Sequence, residues 1–238
     1  MTKDNDKVPS KSGSGSQEVA DFLEKLARTP AVRSAEGRGR LLFAMDATAS
    51  REPTWDRACH IQGEMFKATD GLGGLEVQLL FFRGFGECKA SPWIDSSDAL
   101  VRRMTAVRCL GGRTQIGKVL KHALRETRKR KVNALVYVGD CMEEEIDDLC
   151  HYAGQLGLQG VPMFIFHEGS DPVAGQAFRQ FARLTNGAYC RFDASSAHQL
   201  RELLAAVAVY AAGGLRALED YGRKGGAAAV AQITSQVR

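Results

Sequence analysis

The chain has 238 residues, of which 44% are hydrophobic and 25% charged, and its net charge is +4. This composition is typical of a globular protein and excludes disordered and fibrous classes. The length suits one large domain better than two. The small positive charge argues against a dedicated nucleic-acid-binding protein, which would carry a concentrated basic field. Six cysteines without a Cys-x-x-Cys pair predict neither a disulfide framework nor a zinc site, and they favour a reducing compartment.

The two ends of the chain differ from its centre. Residues 1–16 are rich in Lys, Asp, Ser and Gly, which predicts a disordered segment without the apolar core of a secretory signal. Residues 17–37 predict an N-terminal helix and a connector, and residues 216–238 a Gly- and Ala-rich tail. No apolar run reaches the roughly 18 residues of a membrane span. We therefore expect a cytoplasmic protein whose folded domain covers residues 38–215.

Short apolar runs alternate with longer periodic ones throughout this domain, which predicts β-α units and a largely parallel sheet. The first run is continuous rather than alternating, as expected for a strand that is buried on both faces. The predicted strands are residues 41–45, 77–82, 87–90, 134–138, 161–166 and 188–192. The predicted helices cover residues 54–68, about 95–107, 114–128, a segment whose first turn holds Glu143 to Glu145, and residues 173–185 and 196–212.

These elements predict an α/β fold with a doubly wound, mostly parallel six-stranded sheet and helices on both faces. Only residues 83–86 separate the second and third strands, so a hairpin should make the third strand antiparallel and place it at the edge. The predicted strand order is 3-2-1-4-5-6. In such a sheet, ligands bind outside the carboxyl ends of the strands, where the strand order reverses.

Three polar fragments are expected at that edge. Asp46, Thr48 and Ser50 directly follow the first strand, Thr114 opens a predicted helix, and Asp140 lies just past the fourth strand. Carboxylate and hydroxyl oxygens are the ligands that hard divalent cations prefer. The sequence therefore predicts a metal site made of these five residues, with Mg²⁺ as the expected ion and Mn²⁺ or Ca²⁺ as alternatives.

This ordered set resembles the metal-ion-dependent adhesion site (MIDAS) of von Willebrand factor A (VWA) domains. The family pattern is Asp-x-Ser-x-Ser, then a distant Thr and a distant Asp. Residues 46–50 match the first part with Thr in place of the first Ser, and Thr114 and Asp140 match the rest. The family often has Thr before the last Asp and Gly after it, whereas this chain has Gly139 and Cys141.

The resemblance covers about residues 38–212 and implies a bacterial-type intracellular VWA domain. It further implies a metal-dependent protein-binding module rather than an enzyme, in which an Asp or Glu of a partner protein completes the coordination of the cation. Bacterial intracellular members often work beside ATPases or stress-response systems, so a partner of that kind is the expectation. Neither nucleic acid nor a membrane is expected as a partner.

Other functions remain open at this stage. The same oxygen cluster could serve a metal-dependent phosphotransferase or hydrolase with Asp46 as nucleophile, as in haloacid-dehalogenase-type enzymes. Those enzymes have a second Asp two residues later, where Thr48 stands, and the sequence indicates no general base. A domain that has lost its metal and acts as a scaffold is a third reading. The basic run 125–131 is interpreted as a solvated helix end, with nucleic-acid binding as a minor alternative.

Overall fold

Six strands form one sheet in the computed structural model, which describes residues 38–54, 75–192, 202, 205–213 and 217. The strands are β1 (Gly39–Asp46), β2 (Leu75–Arg83), β3 (Glu87–Ala90), β4 (Ala134–Gly139), β5 (Met163–Glu168) and β6 (Ala188–Phe192). The helices are α1 (Ser97–Thr105), α2 (Ile116–Lys129), α3 (Ile146–Leu158) and α4 (Pro172–Leu184), with a 3-10 helix at Ala49–Thr54 and helical residues at 205–213. No helix in these ranges is long and apolar enough to cross a membrane.

The order of the strands is β3-β2-β1-β4-β5-β6, as predicted. β1 lies between β2 and β4 and is parallel to both, with Asp46 opposite Phe82 and Met45 opposite Val138. β3 pairs with β2 in the antiparallel direction and forms the edge. The carboxyl ends of β1, β2, β4 and β5 therefore meet at one edge of the sheet, which is where the candidate site lies.

The sheet is covered by helices on both faces. Alternate residues of β1 point to opposite sides: Leu41 and Phe43 belong to one apolar cluster, and Leu42 and Ala44 to the other. The first cluster is covered by α1 and the helical residues 205–213, and the second by α2, α3 and α4. A strand buried on both faces has to be apolar at every position, which is why β1 is a continuous apolar run.

Several predicted boundaries differ from the observed ones by about two residues, and two of them have a clear cause. The fifth strand begins at Met163 rather than at residue 161, because the amide of Val161 donates to the carbonyl of Leu156 and closes the last turn of α3. The helix predicted from Thr114 begins at Ile116. Boundaries shift in this way where a terminal residue takes its hydrogen bond from outside the element.

The acidic run at residues 143–145 does not form the first turn of α3, as the sequence had predicted, but precedes that helix. The Glu143 carboxylate accepts from the Thr114 amide (3.0 Å), and the Glu144 carboxylate accepts from the Gly117 amide (2.9 Å). These carboxylates therefore satisfy free amides at the start of α2. The negative charge of this run thus complements the N-terminus of the neighbouring helix α2 and not that of α3.

Several predicted segments lie outside the described residues. They are the N-terminal segment 1–16, the helix and connector 17–37, nearly all of the predicted helix 54–68, residues 193–201 of the last predicted strand-to-helix region, and the tail 216–238 apart from residue 217. The proposed domain boundaries therefore stay predictions.

Candidate metal site at the carboxyl edge of the sheet

Asp46 is the last residue of β1 and is fully buried. Its Oδ1 accepts hydrogen bonds from the amide of Thr48 (2.8 Å) and from the Thr48 hydroxyl (2.6 Å), and that hydroxyl lies 3.1 Å from the Ser50 hydroxyl. Aspartate commonly holds a turn by accepting from the amide two residues later. The first fragment thus folds into a turn that brings its three predicted oxygen ligands together. In the described part of the chain, Oδ2 of Asp46 has no hydrogen-bond partner.

Asp140 follows β4, the parallel neighbour of β1. Ligand atoms of Asp46, Asp140 and Cys141 all lie within 4.8 Å of one another. Oδ1 of Asp140 is buried and, like Oδ2 of Asp46, has no protein hydrogen-bond partner. The fold therefore brings the two predicted carboxylates together, and it adds the Cys141 thiol, which had stood out in the sequence only as a departure from the family pattern.

The electrostatics of this cluster disfavour negative charge. Burial raises the pKa of Asp46 from 3.8 to about 6; the charge of Asp140 adds to the rise, whereas the hydrogen bonds from Thr48 oppose it. Burial, followed by the charges of the two carboxylates, raises the pKa of Cys141 to about 12. A divalent cation would lower the pKa of both groups, because a nearby positive charge favours the ionised form of each.

Thr114 is buried and pairs with the segment that follows Asp140. Its hydroxyl accepts a hydrogen bond from the amide of Glu143 (3.0 Å), and its own amide donates to the Glu143 carboxylate (3.0 Å). Glu143 lies three residues after Asp140, so this reciprocal pair fixes Thr114 to the segment that carries the second carboxylate. The structure thus places Thr114 in the layer of loops around the site.

The loop before Thr114 is held against the ends of β1 and β2. The amide of Leu110 donates to the carbonyl of Ala47 (3.0 Å), and the amide of Arg113 donates to the carbonyl of Gly84 (3.2 Å). A Cβ atom at Gly112 would lie only 2.0 Å from the Gly84 carbonyl oxygen. Glycine at position 112 is therefore required for this close approach of two backbones.

We expect Gly112→Ala to separate this loop from the hairpin and to destabilise the protein by about 1 to 3 kcal/mol, as overpacking does elsewhere. The measurement is chemical denaturation with and without Mg²⁺, since displacement of the loop that leads into Thr114 should also weaken any metal response. Gly111→Ala is the matched control: no atom lies within 4 Å of its Cβ position, so its stability should stay within about 0.5 kcal/mol of wild type. Equal stability of the two variants would contradict this account.

Arg51 is a buried cation that the sequence analysis missed. Its Nη1 donates to the carbonyls of Asp46 (3.1 Å) and Val138 (3.4 Å), and its Nε donates to the Glu168 carboxylate (2.8 Å). One guanidinium therefore connects the carboxyl ends of β1, β4 and β5. An arginine in a polar turn is normally exposed, so neither its spacing nor its neighbours indicated this position.

His167 lies behind Asp140 and is buried. Its Nε2 lies 3.1 Å from the Asp140 carbonyl oxygen, and its Nδ1 lies 2.8 Å from the Tyr189 hydroxyl. Burial lowers the pKa of His167, which favours a neutral ring that donates from Nε2 to the carbonyl and accepts at Nδ1. Both ring nitrogens are thus engaged, and Nε2 is the one that holds the Asp140 backbone.

Gly139 replaces the Thr that VWA domains often have before the last Asp of the motif. A Cβ atom at this position would lie 2.5 Å from the Tyr137 hydroxyl oxygen. Tyr137 is fully buried and packs against Phe82 and Phe178. A large aromatic side chain from the same strand therefore occupies the space that a side chain at 139 would need.

No protein-family model and no curated protein matches the chain. Solved structures do match. The SpRpn10 VWA domain superposes with a TM-score of 0.58 at 12% identity, over 70% of this chain and 94% of that domain. The pilus adhesin SpaC from Lactobacillus rhamnosus GG matches with a TM-score of 0.59 at 11% identity, over 77% of this chain but only 31% of the adhesin. The TFIIH p34 N-terminal domain matches with a TM-score of 0.50 at 12% identity, over 71% and 97%.

The chain has a VWA-like fold. At these sequence identities the similarity concerns the fold alone. It confirms the predicted VWA-like fold. The VWA-like sheet also explains why fragments some ninety residues apart in sequence meet at one edge. The adhesion-type site and the bacterial intracellular origin stay predictions.

Proposed function

We propose that the chain is a protein-binding module that holds a divalent cation with Asp46, Thr48, Ser50, Thr114 and Asp140. The cation would supply one coordination position for an aspartate or glutamate of a partner protein. The VWA-like fold supports an interaction module in general, and the arrangement of oxygens at the edge of its sheet supports this particular kind.

A single observation carries the proposal: two buried carboxylate oxygens, Oδ2 of Asp46 and Oδ1 of Asp140, have no hydrogen-bond partner among the residues that the structure describes. They belong to groups whose ligand atoms lie within 4.8 Å of each other. Two neighbouring carboxylates that each bury an unpaired oxygen are unfavourable unless a positive charge compensates them. A divalent cation satisfies both oxygens and balances both charges.

The surrounding groups suit binding better than turnover. The hydroxyl oxygens of Thr48, Ser50 and Thr114 are neutral metal ligands. They add no negative charge to that of the two carboxylates. The nearest buried histidine, His167, is engaged at both ring nitrogens. In the described part of the chain, this site thus combines a charge-balanced oxygen cluster with a histidine that positions the backbone.

Exposed apolar side chains at the same edge support a protein as the partner. Phe85, in the hairpin after β2, is 86% exposed, and Leu110, whose backbone pairs with Thr48, is 52% exposed. Large apolar side chains on the surface next to a polar anchor are typical of the residues that protein interfaces bury. We expect a partner that presents a carboxylate beside an apolar contact.

The test is affinity capture with immobilised protein from a native lysate, with Mg²⁺ or Mn²⁺ and again with EDTA. We expect a captured protein that is lost with the chelator and lost with Asp46→Asn, and that is retained by the control Asp95→Asn. Asp95 is exposed and pairs with Arg38 at the opposite edge of the sheet. Capture that is equal with chelator, or equal in wild type and Asp46→Asn, would contradict the proposal.

Phosphotransfer or hydrolysis at the same cluster is the alternative. Turnover of a generic phosphoester that is lost in Asp46→Asn would favour it over binding. An ATPase-linked or stress-response partner and a cytoplasmic location stay predictions from the sequence.

A further inference from the structure

The Cys141 thiol lies inside the proposed cation site. Its sulfur belongs to the group of ligand atoms, with those of Asp46 and Asp140, that lie within 4.8 Å of one another. The residue is only partly buried, so a cation and its solvent shell can reach it. Sequence spacing could not reveal this position, since the nearest cysteine in the chain is nine residues away at Cys150.

A second and independent observation points to a ligand at this place. Asp46 is fully buried, and its Oδ2 has no protein hydrogen-bond partner although Oδ1 accepts two hydrogen bonds from Thr48. Oδ1 of Asp140 is buried and unpartnered in the same way. The thiol therefore lies beside two carboxylates that each have one unpaired buried oxygen, and a hydrogen bond links it to Asp140.

The kind of ligand atom decides which cation such a site prefers. Mg²⁺ takes oxygen ligands in octahedral geometry and gains little from sulfur. Zn²⁺ and Co²⁺ accept mixed oxygen and sulfur ligands, with Zn–S near 2.3 Å and Zn–O near 2.0 to 2.2 Å. Ligand atoms around one tetrahedral Zn²⁺ are then roughly 3.5 Å apart, and the three ligand atoms of this cluster lie within 4.8 Å of one another.

We propose that Cys141 is a metal ligand and that it makes this site selective for a thiolate-accepting cation of the zinc class over Mg²⁺. The proposal rests on the proposed function, because it assigns the identity of the ion at that same site. When the metal–sulfur bond forms, the thiol proton leaves to solvent, and the ligand set becomes two carboxylates and one thiolate. The thiolate is a softer ligand than the oxygens of the set predicted from the sequence, and soft thiolate ligands select Zn²⁺ over Mg²⁺.

The first test is titration of the purified protein with Co²⁺, Zn²⁺ and Mg²⁺, followed by absorbance and calorimetry. We expect a sulfur-to-cobalt charge-transfer band in wild type that is absent in Cys141→Ser and present in the control Cys150→Ser. Cys141→Ser should lower the Zn²⁺ affinity about tenfold or more and leave the Mg²⁺ affinity nearly unchanged. A band that persists in Cys141→Ser, or an equal loss for both ions, would overturn the assignment.

The second test uses the wild-type protein and needs no variant to fold. Alkylation of each cysteine by iodoacetamide is followed by peptide mass spectrometry with Zn²⁺, with Mg²⁺ and with EDTA. We expect Zn²⁺ to slow modification of Cys141 about tenfold or more while the rate at Cys150 stays the same. If Zn²⁺ leaves the rate at Cys141 unchanged, the inference fails, yet chelator-sensitive capture by an oxygen-bound Mg²⁺ would still stand. If Asp46→Asn binds every ion as wild type does, the proposed function fails, and the assignment of Cys141 fails with it.

Discussion

Asp46→Asn is expected to raise the stability of the metal-free protein at pH 7.5 and, at the same time, to abolish its stabilisation by divalent cations. The buried carboxylate is unfavourable without a cation because burial and the nearby Asp140 raise its pKa to about 6. An asparagine keeps the acceptor that Thr48 uses and removes the buried negative charge. One substitution should therefore produce opposite effects with and without metal.

The expected size follows from the pKa. A carboxyl group whose pKa rises from 3.8 to about 6 in the folded state removes about 3 kcal/mol of stability at a pH above both values. We expect Asp46→Asn to recover about 1 to 3 kcal/mol of this in EDTA, which chemical denaturation resolves easily. In saturating divalent metal the wild type should gain stability through mass action, whereas the variant should show no gain.

The pH dependence of the free energy of unfolding checks independently that the buried Asp46 carboxylate destabilises the metal-free protein. Asp46 loses its proton at a lower pH in the unfolded chain than in the folded protein, so between pH 3.8 and about 6 the unfolded state binds fewer protons. The stability of the metal-free wild type, measured relative to Asp46→Asn, should thus fall as the pH rises through this window and stay constant above about pH 7. A difference that is flat, or that rises with pH, would mean that Asp46 is not destabilised by burial.

Asp95→Asn is the matched control for both measurements. Asp95 is exposed and pairs with Arg38 far from the site. The stability of the Asp95→Asn variant should therefore differ from that of wild type by no more than about 1 kcal/mol. Its metal response should equal that of wild type. A metal response that survives in Asp46→Asn would place the cation elsewhere and remove the basis of the proposed function.

The fold could be predicted from sequence because its strands have a simple signature. A parallel strand buried on both faces is a continuous apolar run, and the runs ending at Met45 and Val138 were recognised on that basis. The four residues between β2 and β3 required a hairpin and hence an antiparallel edge strand. Given this topology, Asp46 and Asp140 had to reach the same edge, and the structure confirms that they do.

The rest of the site depends on contacts that sequence patterns do not encode. Glu143 and Glu144 were assigned to their own helix by the local dipole rule, yet they cap α2, because the fold places their loop beside its free amides. Glycine is required at position 112 because of a close backbone approach to Gly84, which lies far away in sequence. Cys141 was visible only as an exception to a family pattern.

Arg51→Ala is expected to destabilise the protein by about 3 to 5 kcal/mol, the usual loss when one partner of a buried ion pair is removed. The change leaves the Glu168 carboxylate, 13% exposed, without its guanidinium donor at 2.8 Å. It also leaves the carbonyls of Asp46 and Val138 without the donor that joins them. The measurement is urea denaturation in EDTA, so that metal binding does not contribute.

Arg38→Ala is the control, since its ion pair with Asp95 is exposed and should contribute no more than about 1 kcal/mol. Glu168→Gln in the Arg51→Ala background should recover part of the loss, because it removes the uncompensated buried charge. Equal stability of Arg51→Ala and Arg38→Ala would show that the guanidinium does not hold the strand ends together.

Arg51→Lys separates the charge of this residue from its shape. A lysine preserves the positive charge beside Glu168, but its single ammonium lacks the planar fork with which the guanidinium reaches Glu168 on one side and two carbonyls on the other. If charge alone were important, Arg51→Lys would be nearly as stable as wild type. We expect Arg51→Lys to recover less than half of the stability lost in Arg51→Ala, because the geometry of one guanidinium joins the ends of β1, β4 and β5. The same junction should hold the spacing between Asp46 and Asp140.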